Sequence, residues 1–284
     1  MDKNISSKEC AKVPRISVVT PSYNQADTLE STIRSVLDQG YPDIEYIVMD
    51  GGSTDASVDI LRKFDSKFAF WQSKQDGGQS AGINLGMARA TGDIACWLNS
   101  DDRWVPGTLN RIATVFRDNP DVQWLVGIGT YENKKGKSTR VLPELLPENG
   151  KRLNTEWFID WPKNAVLQPS VFWRRDLWLT VGGLDESLHC AMDFDLWLKF
   201  SAIAPAYFIS ENLSISLFHP GVKSYREAST SLLEVSTSMS LHGRRDKAIK
   251  LLKPYMEIPF FLRNKIWPFC PAFVRKVLKR IALR

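Results

Sequence analysis

The hydrophobic pattern of the first 130 residues alternates between short apolar runs and amphipathic stretches. The apolar runs are rich in β-branched residues, and this predicts buried strands at 16–23, 44–50, 68–72, 94–98 and 122–128. Between them, apolar residues recur at helical spacing, and this predicts helices within 26–40, 55–64, 80–90 and 106–117. Strands that alternate with helices of this length form right-handed βαβ units. We therefore expect an α/β fold with a mostly parallel central sheet flanked by helices.

The pattern is looser in the second half of the chain. Residues 131–163 are rich in Lys, Asn, Gly and Pro and predict a hairpin followed by a loop. The later segments predict a strand leading into a helix at 165–179, a helix at 193–203, short strands at 206–210 and 213–219, and basic helices beyond. We expect one domain over 1–225, with halves at 14–130 and 131–225, and a helical extension over 226–284.

Composition narrows the class of protein. The 284 residues suffice for one large α/β domain. The four cysteines are far apart in sequence, so neither a zinc motif nor a redox motif is indicated, and a reducing, cytoplasmic setting is expected. The amino terminus is polar and no run of 18 apolar residues occurs, so we predict neither a secretory signal nor a transmembrane helix.

An acidic pair stands out, because Asp101 and Asp102 directly follow the apolar run at 94–98. The carboxyl ends of strands are where open α/β sheets bind ligands. Carboxylate oxygens at such a place suit Mg²⁺ or Mn²⁺ together with substrate phosphates. The alternative is that the pair only opens the next helix, since Asp is a good N-cap and Pro106 fits an early helical position.

Several common signatures are absent from the chain, namely G-x-G-x-x-G after the first strand, G-x-x-x-x-G-K-[ST] and H-E-x-x-H. What the chain does contain is ISVVTPSYNQADTLESTIRSVLDQGYPDIEYIVMDGGSTDAS at 16–57 and DGGQSAGINLGMARATGDIACWLNSDD at 76–102. These segments resemble the nucleotide-sugar half of family 2 glycosyltransferases of the bacterial polysaccharide type. The resemblance extends over about residues 14–225 and implies the GT-A fold.

The resemblance assigns donor-binding roles to three residues near the first two strands. Pro21 and Tyr23 match positions that line the nucleoside pocket, and Asp50 matches the carboxylate that binds the base. A carboxylate at a strand end can accept a hydrogen bond from a base N–H, and the adjacent glycines let the backbone pass close to a ligand. The alternative for the segment 50–55 is an ordinary turn capped by Ser53 or Asp55.

The metal motif implied by the resemblance departs from the family pattern. NSDD at 99–102 matches D-x-D-D, but Asn99 replaces the first acid. Asp101 and Asp102 must then make the metal and ribose contacts, and the sequence leaves open which is the direct ligand. His219 matches a histidine that reaches the metal or the diphosphate in parts of the family, although a single histidine after a strand is also a common structural residue.

The remaining roles lie in the second half. Asp193, in AMDFDLWLKF, matches the family's catalytic base, and its alternative role is to cap the helix that follows. Asp195 should point elsewhere on that helix. Lys223 and Ser224 are expected to contact phosphate, Gln168 to contact sugar hydroxyls, and Trp161 and Trp173 to stack on sugar faces or fill the core.

The carboxyl-terminal segment carries most of the positive charge. Residues 223–284 hold 14 Lys and Arg against 4 Asp and Glu, whereas the rest of the chain holds 23 against 28. Within 271–284, apolar residues at helical spacing alternate with basic ones, and this predicts an amphipathic helix. The aromatic residues at 260–269 favour a membrane interface, so we expect 260–284 to contact an anionic membrane surface rather than nucleic acid. The alternative is a helix packed on the protein itself.

Together these features predict a metal-dependent, inverting glycosyltransferase on the inner face of the cytoplasmic membrane. Its donor would be a nucleoside diphosphate sugar, its cofactor Mn²⁺ or Mg²⁺, and its acceptor a hydroxyl of a glycan or a lipid-linked glycan. One alternative is a sugar nucleotidyltransferase, but TPSYNQAD at 20–27 lacks the Gly-rich, basic loop expected there. The other is a non-catalytic binding module, in which the acid at 193 would not be needed.

Overall fold

The computed structural model describes residues 13–133, 136, 138–141, 147–160, 164, 166–218 and 223–256. The strands in these residues are β1 (Ile16–Ser22), β2 (Ile44–Asp50), β3 (Phe70–Ser73), β4 (Ile94–Trp97), β5 (Asp102–Trp104), β6 (Trp124–Asn133), β7 (Ser138–Val141), β8 (Arg152–Leu153), β9 (Val171–Arg174) and β10 (Ala206–Phe218). The helices are α1 (Leu29–Leu37), α2 (Ser57–Lys63), α3 (Gln79–Met87), α4 (Thr108–Asp118), α5 (Thr155–Ile159), α6 (Arg175–Val181), α7 (Met192–Ile203), α8 (Lys223–Arg226), α9 (Ala228–Leu241) and α10 (Arg245–Met256). Short 3₁₀ turns lie at Asp65–Lys67 and Gln168–Ser170.

All ten described strands join one sheet, in the order β3-β2-β1-β4-β9-β6-β10-β5, with β7 beside β6 and β8 beside β10. The strands β3, β2, β1 and β4 are parallel, whereas β9 is antiparallel to both β4 and β6. The chain leaves β1 toward β2 on one side and returns as β4 on the other. That reversal is the position at which α/β sheets form a ligand crevice.

Burial explains why the first strands read so clearly in the sequence. Every residue of β1 is buried, and α3 packs on β1 and β2. In α1 the side chains of Leu29, Ile33 and Val36 are buried at helical spacing, while Glu30 and Arg34 pair on the outside. These agreements confirm the predicted α/β architecture.

An aromatic cluster fills the space between the sheet and α7. Trp97 on β4 stacks on Trp197 of α7, which in turn stacks on Trp124 of β6. Trp173 of β9 stacks on Trp178 of α6 and is fully buried. The suggestion that Trp173 contacts a sugar is therefore wrong, because its ring belongs to the core. Trp161 lies outside the described residues.

Three differences from the predicted elements concern the site. Asp102 begins strand β5 instead of a helix, and α4 begins at Thr108 after Gly107, so Pro106 is not helical. The two short strands expected at 206–219 form one strand, β10, which carries register shifts where it pairs with β6. The predicted hairpin is β6 with β7.

The carboxyl-terminal helices α9 and α10 pack on the rest of the described chain. Val235 and Met239 of α9 belong to the same hydrophobic core as the sheet, and so does Ala248 of α10. The division of the chain after residue 225 stays a prediction, and α9 contacts α7 on the far side of that point. Residues 260–284 lie outside the described residues. No helix in the described part of the chain is long and apolar enough to cross a membrane.

Candidate active site

A cleft of about 1370 Å³ opens at the carboxyl ends of β1, β2 and β4. One wall, which we call the strand-end wall, is formed by the turns after those strands and carries Pro21, Tyr23, Asp101 and Asp102. A second wall is formed by the start of α7 together with the neighbouring parts of α8 and α9. We call it the α7 wall, and it carries Asp193 and Lys223. Most of the side chains predicted from the sequence to form the site therefore lie around one cavity.

Two turns of the strand-end wall hold each other. The backbone N–H of Asn24, a residue with φ of 51°, donates to Ser53 Oγ at 2.8 Å. In return, the backbone N–H of Thr54 donates to Asn24 Oδ1 at 2.8 Å. Tyr23, the residue before Asn24, lines the cleft and is 60 % exposed. Its ring is thus presented to the cleft beside a residue that is fixed by two hydrogen bonds.

Asp50 is buried at the end of β2, where its carboxylate is bonded within the turn that follows. It is 1 % exposed and does not line the cleft. Its carboxylate accepts hydrogen bonds from the backbone N–H groups of Gly52 and Ser53 and from the hydroxyls of Ser53 and Ser73. The hydrogen bonds of Asp50 are therefore those of an ordinary turn, as the alternative for residues 50–55 predicted. This turn presents Gly51 and Gly52 to the cleft. Base binding by Asp50 stays a prediction.

Asp76, which the sequence interpretation did not single out, does line the cleft. Its Oδ1 accepts from the backbone N–H of Gly78 at 2.9 Å, in a turn where Gly77 and Gly78 have φ of 90° and 118°. A Cβ on Gly82 of α3 would lie 2.6 Å from Asp76 Oδ2. The glycines of DGGQSAG therefore let α3 begin directly beside this carboxylate, and that glycine spacing was the available sequence signal.

Burial and mutual repulsion both disfavour the negative charge of the acidic pair. Asp102 is 6 % exposed, and burial together with the charge of Asp101 raises the pKa of Asp102 to about 8. Hydrogen bonds from Ser216 and Asn99 act in the opposite direction. A divalent cation beside these hard oxygens would compensate both the burial and the repulsion. The pair therefore fits the predicted metal, and the alternative that it merely opens a helix is wrong, since Asp102 is in a strand.

Asn99 is fully engaged by its neighbours. Its Nδ2 donates to Asp102 Oδ2 at 3.1 Å and to Gln168 Oε1 at 3.2 Å, and its Oδ1 accepts from Gln79 Nε2 at 2.9 Å. An aspartate at this position has no N–H to donate, so it would lose both of the first two bonds. The residue that departs from the family pattern thus orients Asp102.

Gln168 and Lys223 extend this hydrogen-bond network in two directions. Gln168 Nε2 donates to the carbonyl of Trp97 at 2.9 Å, which ties the network to the end of β4. Lys223 Nζ donates to Gln79 Oε1 at 3.3 Å, which ties it to α8. The Gln168 amide thus faces the cleft and holds the strand-end wall as well, while its predicted sugar contact stays a prediction.

Asp193 lies in the first turn of α7, where its Oδ1 accepts from the backbone N–H of Phe194 at 2.8 Å. The N-cap residue of α7 is Ala191, so Asp193 is not the cap that the alternative interpretation required. Burial raises the pKa of Asp193, while the charge of Lys223 lowers it. The site thus holds a carboxylate with increased proton affinity, as a general base requires.

Tyr131 of β6 also lines the cleft. Partial burial raises the pKa of Tyr131, and the negative charges of Asp102 and Asp193 raise it further. The phenol is therefore near enough to both carboxylates to respond to their charge.

Asp195 faces away from the cleft, as predicted. It accepts from Ser238 Oγ of α9 at 2.7 Å, lies 3.2 Å from His242 Nε2, and pairs with Lys199 at 2.9 Å. These partners outweigh burial and lower its pKa to about 2. Asp195 therefore joins α7 to α9.

Two predicted site residues have no described side chain. His219 lies outside the described residues, and for Ser224 only the backbone in α8 is described. Among the described side chains, His189, Cys190 and Glu227 form the one group of three that is able to ligate a metal. The proposed set of Asp101, Asp102 and His219 thus stays a prediction.

Comparison with known proteins adds the family. Residues 17–176 match the family model described as Glycosyl transferase family 2. An uncharacterized glycosyltransferase of Mycobacterium tuberculosis is 30% identical over 238 residues, which cover 81% of this chain and 85% of that protein. The chain also matches two Rickettsia glycosyltransferases and spans 64% of their length.

Two solved structures share the fold. S. aureus TarS 1-349 in complex with UDP-GlcNAc matches with a TM-score of 0.65 and 18% identity, over 85% of this chain and 71% of that chain. Mannosyltransferase PcManGT from Pyrobaculum calidifontis, in complex with GDP-Man and Mn2+, matches with a TM-score of 0.57 and 13% identity, over 94% of this chain and 83% of that chain. These likenesses confirm the predicted GT-A type of fold.

Proposed function

Because this chain belongs to glycosyl transferase family 2, we propose that it transfers a sugar from a nucleoside diphosphate donor to a hydroxyl of a glycan or a lipid-linked acceptor. The acceptor oxygen bonds to the anomeric carbon, its proton passes to a base, and the bond to the diphosphate breaks. The observation that carries the proposal is that the acidic pair and Asp193 line the same cleft.

The donor is proposed to lie on the strand-end wall. Tyr23 and Pro21 offer an apolar surface for the nucleoside, and the glycine turn at Gly51 and Gly52 allows close approach of the backbone. Asp76 is a half-buried carboxylate that lines the cleft, and it is added to Asp50 as a candidate for the base contact. UDP-GlcNAc and GDP-Man, the donors bound by the structural neighbours, are the first candidates to test.

A divalent metal is proposed at Asp101 and Asp102, with His219 as a further ligand. Mn²⁺ or Mg²⁺ bound there would neutralise charge on the leaving diphosphate. The Mn2+ complex of the structural neighbour supports this choice. Lys223 and Ser224 are proposed to contact the same phosphates, since Lys223 already reaches toward the strand-end wall through Gln79.

Asp193 is proposed as the base that takes the acceptor proton. Its raised pKa increases its proton affinity, and its position on the α7 wall of the cleft that the acidic pair also lines supports this role. Asp195, the other acid in the first turn of α7, is held by α9, so it is not placed to act as a second carboxylate. Inversion at the anomeric carbon is proposed from the family resemblance and from Asp193 as the one carboxylate assigned to the reaction.

The test is a panel of nucleotide sugars, including UDP-GlcNAc and GDP-mannose, with Mn²⁺, Mg²⁺ or EDTA. We expect one donor to raise the melting temperature and to release its nucleoside diphosphate, in both cases only with metal. Absence of any metal-dependent stabilisation or release across the panel would contradict the proposal. Pyrophosphate release from a nucleoside triphosphate and a sugar 1-phosphate would indicate a nucleotidyltransferase instead.

Peripheral membrane contact through 260–284 is proposed from sequence alone. This segment holds seven Lys and Arg and no Asp or Glu, and each basic residue near an anionic surface contributes about 1 kcal/mol. We expect the full chain to sediment with anionic vesicles at low salt, and a chain ending at 259 to remain in the supernatant while keeping donor turnover. Equal sedimentation of both chains would contradict the proposal.

A further inference from the structure

Glu234 is a buried acid whose carboxylate accepts hydrogen bonds from the backbone of another segment of the chain. It lies in the middle of α9, outside the residues matched by the family model, and it is 3 % exposed. Its carboxylate points at the loop 189–191, which leads directly into α7.

Three consecutive backbone groups donate to this one carboxylate. The N–H of His189 donates to Oε1 at 2.9 Å, and the N–H groups of Cys190 and Ala191 donate to Oε2 at 2.6 Å and 2.9 Å. An ionised carboxylate has about four acceptor sites on two oxygens, so it accepts all three bonds. A glutamine has one acceptor oxygen, and its NH₂ would face donors.

The held loop determines where α7 begins. Ala191 is the N-cap of α7, and its carbonyl accepts the helical bond from the N–H of Asp195 at 3.0 Å. Its N–H is the group that Glu234 accepts, so Ala191 is fixed on both sides. Asp193 follows two residues later, on the same first turn.

We propose that Glu234 is a positioning residue, which sets the place of the Asp193 carboxylate in the cleft by holding the backbone of residues 189–191. This inference rests on the role proposed for Asp193 above. Glu234 itself does not line the cleft, although its neighbour Val235 does. Its effect on the reaction therefore passes through the start of α7, where a shift of about 1 Å is enough to lower turnover by about 10²-fold.

The test compares Glu234→Gln with Glu234→Asp and with the control Ser236→Ala. Ser236 is also buried on α9, but its hydroxyl bonds only to the carbonyl of Leu232 in its own helix. The assay is nucleoside diphosphate release from UDP-GlcNAc, or from whichever donor of the panel is turned over fastest. Donor affinity is measured by calorimetry, and amide hydrogen exchange is measured for the peptide containing 189–192.

For Glu234→Gln we expect kcat to fall by about 10- to 100-fold, donor affinity to stay within about 2-fold, and exchange at 189–191 to accelerate. Glu234→Asp keeps both acceptor oxygens and should recover part of the loss, while Ser236→Ala should behave as wild type. In an Asp193→Asn background, Glu234→Gln should cost little more, because residues that act as a unit are not additive.

Normal kcat for Glu234→Gln beside an impaired Asp193→Asn would reject the role given to Glu234. A full extra loss in the Asp193→Asn background would reject it too, because Glu234 would then act independently of Asp193. Normal turnover of Asp193→Asn itself would instead reject the base assigned under the proposed function. If Glu234→Gln does not fold, Glu234→Asp decides by the same kcat, affinity and exchange readouts.

Discussion

The two walls of the cleft are built in different ways. On the strand-end wall, Asp101 precedes β5 and Asp102 begins it, a few residues after the end of β4, and Asp102 accepts hydrogen bonds from Asn99 and Ser216. On the α7 wall, Asp193 depends on a helix whose start is fixed by α9. The proposed donor contacts thus come from short motifs, whereas the proposed base is placed by contacts distant in sequence.

The largest effect is expected on the strand-end wall. Replacing Asp101 and Asp102 by Asn removes the charge that is proposed to hold the metal, so donor turnover should fall by about 10³-fold or more. Asp118→Asn, an exposed acid of α4 paired only with Arg117, serves as the control. If the double variant keeps metal-dependent turnover, Asp101 and Asp102 are not the metal ligands.

A smaller loss is expected when the base is changed alone. Asp193→Asn keeps an oxygen that accepts from Phe194 N–H but cannot take the acceptor proton, so kcat should fall by about 10²- to 10⁴-fold. Asp176→Asn, in the first turn of α6, removes an exposed acid that does not line the cleft. If kcat is near normal in Asp193→Asn, the α7 wall has no catalytic base at this position.

The connection between α7 and α9 predicts a loss of stability. Asp195→Asn removes the charge that pairs with Lys199, and we expect about 2 kcal/mol less free energy of unfolding at pH 7. Asp59→Asn, an exposed acid of α2, should change it by less than about 0.5 kcal/mol. Urea unfolding measures both, and equal values for the two variants would contradict the packing role of Asp195.

The same carboxylate gives a pH dependence. The folded pKa of Asp195 is about 2, below its ordinary value of 3.8, so its contribution is present above pH 3.8 and is lost as pH falls toward 2. The stability difference between wild type and Asp195→Asn should therefore shrink as the pH is lowered through that window. A difference that stays constant from pH 7 to pH 3 would contradict the assignment.

The smallest expected effect is a shift in the pH dependence of kcat in Lys223→Met. The charge of Lys223 lowers the pKa of Asp193, so its removal raises that pKa and moves the acidic limb of the kcat profile to higher pH. Lys67→Met, near the amino end of β3 at the opposite edge of the sheet, is the control. A limb that stays in place would mean that the two groups do not interact in the working enzyme.

The sequence predicted the strand-end wall better than the α7 wall, and the reason is physical. The turns at Tyr23 and Gly51 and the acidic pair follow apolar strands, so local pattern alone places them at one edge of the sheet. Strand β5 was missed because its three residues are too short to show alternation. Its position is set by antiparallel pairing with β10, more than 100 residues later.

The hydrogen-bond network around Asn99 could not be predicted from the sequence. The bonds of this network join residues that are 20, 69 and 144 positions apart, and the periodicity of a sequence contains no information about such contacts. For Asp50, the sequence motif was recognised but the direction of the side chain could not be predicted. Whether the carboxylate faces the cleft or its own turn depends on side-chain packing at the end of β2.

Titration calorimetry of donor with Mn²⁺ tests most directly the central claim that one wall binds the donor and the other supplies the base. The wild type, the Asp101→Asn/Asp102→Asn double variant and Asp193→Asn are compared with the same donor. We predict that binding is lost in the double variant and unchanged in Asp193→Asn, although both have lost turnover. Equal binding by all three proteins, or loss of binding in Asp193→Asn, would contradict the division of the cleft into two walls.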